Sequence, residues 1–182
     1  MESAQKNTNY KPLSDTNSTR ILQVLGAKDR SASLECRLIE VELDSPPAYE
    51  AVSYAWGTSV GSEPVICTDN DHTWTMLVTQ NLMQALLEMR PECRWRNLWV
   101  DQLCINQDDT AERNAQDRIM GSIYKNCQRV ITWLGEEDLK TGCAEFMTDV
   151  CRGAHSQMIA RTNVGHKELL LWCTVTEEIL SR

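Results

Sequence analysis

Apolar and polar positions alternate along the first part of the chain and then recur every three to four residues. That change of period separates strands from helices. Thr19 to Leu25 and Cys36 to Leu43 read as strands, the second setting Ile39, Val41 and Leu43 against Glu40 and Glu42. Ser45-Pro46-Pro47 interrupts the pattern, and the mostly apolar run Tyr49 to Trp56, closed by Gly57, reads as a more central strand. Val65 to Thr68 and Trp74 to Val78 flank the turn formers Asp69, Asn70 and Asp71, which predicts a hairpin. Thr79 then caps a helix running to about Met89, with Leu82, Leu86 and Met89 on one face and Pro91 just beyond. Leu98 to Asp101 is a short strand. Asp109 and Glu112 have capping-box spacing ahead of a helix whose stripe is Ala115, Ile119, Met120, Ile123 and Cys127. Val130 to Leu134 is the next strand, ended by Gly135, and helical stretches are expected at about 138–160 and 167–180.

The order strand, helix, strand, helix, strand from Tyr49 to Leu134 suits parallel βαβ units. The expected fold is α/β: a mainly parallel central sheet flanked by helices, with an N-terminal β-rich addition. Residues 1–18, rich in Ser, Thr and Asn, read as a flexible lead-in, and 19–182 as one domain. In such sheets ligands bind beyond the carboxyl ends of the strands, where backbone polar groups are free. Trp56 with Gly57, Asp101 with Gln102, and Leu134 with Gly135 would gather at that edge.

Composition narrows the function classes. The chain has 182 residues, 42% hydrophobic and 24% charged, as a packed domain should. A net charge of -8 and a pI near 4.9 make nucleic acid and anionic membrane poor partners. None of the eight cysteines forms a CxxC pair, and Cys151 with His155 has no second pair beside it, so no metal site is expected. The residues up to Arg20 lack the apolar core of a signal peptide, and the apolar run Leu169 to Cys173 is too short to span a bilayer. A cytoplasmic, reducing setting follows, with most cysteines acting as small core hydrophobes. There is no Gly-rich phosphate loop and no kinase or hydrolase signature.

Three stretches carry a family resemblance: Tyr49 to Gly57 (YEAVSYAWG), Leu98 to Gln107 (LWVDQLCINQ), and Glu112-Arg113 followed by Gln116, Met120, Ile123-Tyr124 and Val130 to Gly135 (VITWLG). With Tyr10 to Leu13 as preamble, the chain resembles the fungal heterokaryon-incompatibility (HET) domain over about residues 10–137, with a motif core at 49–137. Toward the carboxyl end the family's R-x-W-x-x-Q-E segment has its nearest counterpart in Leu171 to Glu178, without the Arg and with a different Trp spacing. The chain stops four residues later, as a short member or a fragment would. The resemblance implies a self-associating signalling module in non-self recognition and programmed cell death. HET domains are also similar in outline to Toll/interleukin receptor (TIR) domains, with a flavodoxin-like arrangement, some of which cleave NAD at the nicotinamide bond. By that implication NAD is a candidate substrate, Glu177 or Glu178 is the catalytic acid, and Tyr54, Trp56, Gly57, Asp101, Asn106 and Gln107 line the pocket. An inactive protein-binding module is the third alternative.

Each motif residue also has a structural reading. Asp101 either binds a ribose or caps the turn that follows it. Cys104 as a nucleophile needs a base, and His72, His155 and His166 stand in no partner motif, so a buried thiol is favoured. Asn106 and Gln107 more often satisfy backbone groups than read a ligand. Glu112 is first a capping residue, and Arg113 grips either a phosphate or a carboxylate. Trp56, Trp99 and Trp133 default to core packing. Gln116 and Gly135 belong to the family motif, while Glu177 and Glu178 taken singly read as a solvated helix face.

Overall fold

The computed structural model describes residues 10–56, 61–68, 72–133 and 135, and the backbone of 158–162 and 169–173. The elements in chain order are β1 Ser18–Leu25, β2 Glu35–Glu42, β3 Glu50–Tyr54, β4 Glu63–Thr68, β5 Thr73–Val78, α1 Gln80–Met89, β6 Trp95–Trp99, α2 Asp101–Cys104, α3 Thr110–Asn126, β7 Arg129–Trp133, β8 Met158–Thr162 and β9 Leu169–Cys173. Local chemistry sets the helix starts. Thr79 accepts from the Leu82 N–H, and Asp109 accepts from the N–H groups of Ala111 and Glu112, so both expected caps form.

Among the described residues the strands form one sheet in the order β5-β4-β2-β1-β6-β3-β7-β9-β8. Its central strands β6, β3 and β7 run parallel, with Ala51 of β3 opposite Trp99 on one side and Val130 on the other. The β2 and β4 strands are also parallel, while the other five junctions are antiparallel. The expectation of a mainly parallel sheet is therefore corrected to a mixed one. Parallel neighbours need crossovers of about a dozen residues or more. The links from β1 to β2 and from β4 to β5 are too short for that, so those strands fold back as hairpins. The N-terminal β-rich addition is also continuous with the sheet, because β1 inserts beside β6 and pairs Leu22 with Leu98.

A second correction concerns the carboxyl-terminal helices. Met158–Thr162 and Leu169–Cys173 are strands that pair with each other, and β9 extends the sheet from β7. A five-residue apolar run suits a strand as well as a helix, and only an available sheet edge decides between them. The remaining residues of both expected helices lie outside the described residues.

Helices cover both faces of the sheet. Arg96 and Leu98 point to one side of β6 and Trp99 to the other. On the first side Arg96 donates to the Met89 carbonyl at the end of α1 (2.6 Å). On the second, Trp99 meets the Tyr124 ring of α3 edge-on, with centroids 5.5 Å apart. The core between these layers includes Ile21, Leu22, Leu82, Leu86, Leu98 and Ile131. The expected α3 stripe is only partly sealed, since Ile123 and Cys127 are buried while Ile119 and Met120 are half-buried.

Two buried charges are met by specific partners. Glu50 on β3 bridges its two parallel neighbours, bonding Arg96 Nε on β6 at 2.5 Å and Arg129 on β7. Arg90, 3% exposed, donates to the carbonyls of Ala32 (2.9 Å) and Arg30 (2.6 Å) and so fixes the turn that leads into β2. Unpaired, such charges would be costly to bury.

Candidate functional site

The carboxyl ends of β3, β6 and β7 bring most of the motif residues to one edge. Trp56, just past β3, donates its indole N–H to Asp101 Oδ2 at 2.9 Å. Asp101 opens α2, and its Oδ1 accepts the N–H of Gln102 at 2.7 Å. Tyr54 donates its hydroxyl to Gln102 Oε1 at 3.0 Å, and Gln107 donates its side-chain amide to the Asp101 carbonyl at 2.9 Å. The strand expected at Leu98 to Asp101 in fact ends at Trp99, because Val100 is the N-cap of the short helix. Trp56 remains 40% exposed, so one aromatic surface stays open to solvent beside a carboxylate.

The electrostatics of this edge follow from burial. Burial raises the Asp101 carboxyl above its ordinary range, against the hydrogen bonds from Trp56 and the Gln102 backbone, which pull it down. The Tyr54 phenol is pushed far above its usual value, first by burial and then by the neighbouring Asp101 charge.

Sequence reasoning missed Asn81. This residue, in the first turn of α1, donates to the Ala55 carbonyl at 2.7 Å and accepts the Trp133 indole N–H at 2.8 Å. It thereby ties the ends of β3 and β7 to the start of α1. The signal was an asparagine inside a helix start, where a poor helix former has a reason to be kept. Gly135 adopts φ +89°, a left-handed conformation that suits glycine, with Asn81 alongside. Gly57, Glu177 and Glu178 lie outside the described residues.

A second group of motif residues sits behind the edge and is structural. Arg20, on β1 and 5% exposed, bonds Glu112 through Nη1 at 2.5 Å and Nη2 at 3.1 Å. Arg20 also donates to the carbonyls of Cys104 (3.1 Å) and Lys11 (2.6 Å) and lies over the Tyr10 ring. Glu112 Oε1 further accepts the N–H of Asn106 at 2.7 Å. Gln116 accepts from the Thr19 hydroxyl (2.7 Å) and donates to the Ser18 carbonyl (2.8 Å), all three buried. A charged residue inside the apolar run Thr19 to Leu25 was the legible sign of a buried partner.

Cys104 is fully buried and burial pushes its thiol up to about 12. Its sulfur accepts the Val100 N–H at 3.3 Å, so it supports the turn and is a poor nucleophile. Cys36, Cys67 and Cys127 are also buried thiols, as expected of small core residues, whereas Cys93 is exposed. Arg113 is exposed, and its backbone N–H meets the Asp109 carbonyl at 2.9 Å. Among the described residues, no helix is long and apolar enough to cross a membrane.

The family model described as "Heterokaryon incompatibility protein (HET)" matches residues 49–178, which takes in the edge residues and, from the second group, Cys104, Asn106, Glu112 and Gln116. The chain belongs to the heterokaryon-incompatibility family. It is 31% identical over 125 residues to "Heterokaryon incompatibility protein 6, OR allele" of Neurospora crassa, across 64% of this chain and 18% of that protein. The chain thus aligns with less than a fifth of this relative's length. No solved structure matches it significantly. Within the HET motif, then, Tyr54, Trp56, Asp101 and Gln107 form an accessible edge, and Cys104, Glu112 and Gln116 hold it from behind.

Two outcomes test this division. Glu112→Gln leaves Arg20 buried with half its partner, and breaking such a pair costs about 3 kcal/mol or more; a clear fall in the urea midpoint is expected, and an unchanged midpoint would contradict the structural role. Asp101 has its pKa raised on folding, so its contribution to stability is present below the ordinary aspartate value of 3.8 and is lost as pH rises through the folded pKa. The emission of Trp56 should accordingly shift with a midpoint above 3.8, and that step should vanish in Asp101→Asn and in Trp56→Phe.

Proposed function

We propose that this chain is the signalling domain of a fungal heterokaryon-incompatibility system, acting in non-self recognition and programmed cell death by associating with further copies of itself. The observation that supports association is the edge strand β5. It is the outermost strand of the described sheet on its side, and Thr73 to Val78 contains neither charge nor proline. Edge strands ordinarily carry such residues as guards against pairing. Thr73, Thr75 and Leu77 face outward, and Leu77 is 59% exposed. Two copies of this strand suit antiparallel pairing about a two-fold axis, which would continue the sheet across both molecules. Elsewhere the net charge of -8 works against contact between copies, which favours an uncharged strip as the meeting place.

Sedimentation over a range of concentrations tests this. Association is expected, weakened about tenfold or more in Leu77→Lys, a loss of about 1.4 kcal/mol. Thr75→Pro should act alike, because Pro64 has no N–H to share with Leu77, so alternate residues of β5 turn their N–H groups to the open edge. A chain that stays monomeric throughout would sink the reading.

One observation favours a second reading, a TIR-like nucleosidase that cleaves NAD between nicotinamide and ribose. An exposed indole braced on a partly buried carboxylate offers a stacking surface for a base and an acceptor for ribose hydroxyls. Glu177 or Glu178 would supply the acid that stabilises charge on the ribose. Nicotinamide release by the purified chain, abolished by Glu177→Gln or Glu178→Gln, is the expected result; no release at concentrations where the chain associates would remove this reading and leave the first.

A further inference from the structure

A cleft of about 460 Å³ lies on the far side of the Arg20–Glu112 pair, between the N-terminal segment and the start of α3. Tyr10, Leu13 and Asp15 form one wall, and Asn106, Glu112 and Ala115 the other. The first wall is built, not draped: Tyr10 donates to the Leu103 carbonyl at 2.9 Å, and Ser14 is held by Glu40. Its volume is in the range of small-ligand and side-chain pockets, roughly 300–1,000 Å³.

Asn106 indicates what the cleft takes. It is 7% exposed, and its Oδ1 accepts the Asp108 N–H at 3.2 Å, which fixes the orientation of the carboxamide. Nδ2 makes no hydrogen bond among the described residues, and Asn106 lines the cleft. A donor in that position asks for a ligand acceptor such as a peptide carbonyl. The rim adds the opposite demand. Asp15 lines the cleft and Asp108 stands exposed next to it, on a chain of net charge -8. Leu13, Ala115 and the Tyr10 ring supply apolar wall for an aliphatic stem.

We propose that this cleft binds an arginine-bearing peptide segment of a partner protein, with a backbone carbonyl on Asn106 Nδ2, the stem against Leu13 and Ala115, and the guanidinium at the acidic rim. The site is separate from the Trp56–Asp101 edge and independent of β5. Since Glu112 also holds the Asn106 N–H, an occupant here bears on the loop that carries Gln107 and hence on Asp101.

The test is an NMR titration of the full chain with N-acetyl-arginine methylamide, using N-acetyl-norleucine methylamide as the uncharged control. The arginine compound is expected to move the Asn106 side-chain amide resonances, and the control to bind at least several-fold more weakly. Asp15→Asn keeps the acceptor used by the Asn17 N–H and removes one charge, so it should weaken binding several-fold. Ala115→Leu fills the cleft from a half-exposed helix position and should abolish binding while leaving the thermal midpoint near that of the parent. Equal binding of both compounds, undiminished binding to Ala115→Leu, or no movement of Asn106 at all would each overturn the proposal.

Discussion

One guanidinium organises the parts of this domain that sequence distance keeps apart. Arg20 stands in a strand whose neighbours Ile21 and Leu22 are fully buried, so its charge must be matched inside the fold. Glu112 from the start of α3 supplies the match, and the carbonyls of Lys11 and Cys104 take further donors. A planar fork with five donors can satisfy several chain segments at once, which a lysine ammonium in the same place would not do with comparable geometry. The N-terminal segment, β1, the α2 turn and α3 are joined at this point.

The loop between α2 and α3 is consequently held from two directions. From behind, Glu112 takes the Asn106 N–H. In front, Gln107 holds the Asp101 carbonyl while Trp56 leans on the Asp101 carboxylate. The long middle motif reads as a device for fixing that loop against the strand ends. Its cysteine is packing, and Glu112 of the following stretch is a brace. What the motif leaves accessible is the Trp56 surface and the polar groups around it, on the edge where open α/β sheets commonly present ligands.

The sheet itself separates two jobs. Its parallel centre, β6-β3-β7, carries the motif residues and is stitched by Glu50 with Arg96 and Arg129. Its mixed wing, β1-β2-β4-β5, ends in β5, whose uncharged outer row contrasts with the acidity of the chain as a whole. The central strands are shielded by helices on both faces, whereas β5 forms the outer edge of the described sheet on its side.

Much of this was legible from the sequence because it depends on local periodicity and turn chemistry. Alternation placed β2, an apolar run closed by Gly57 placed β3, turn formers placed β4 and β5, the 3.6-residue pattern placed α1 and α3, and Thr79 and Asp109 marked their starts. The convergence of Trp56 and Asp101 followed from where strands end in an α/β sheet. Strand partners were not legible, because backbone hydrogen bonding is the same for any neighbour and pairing is chosen by the packing of the whole sheet. That is why β1 lies against β6, and why Leu169 to Cys173 is a strand on the free side of β7. The roles of Glu112 and Asn81 were decided at the same level. Each depends on a partner dozens of residues away or on burial, and only the tertiary structure sets either.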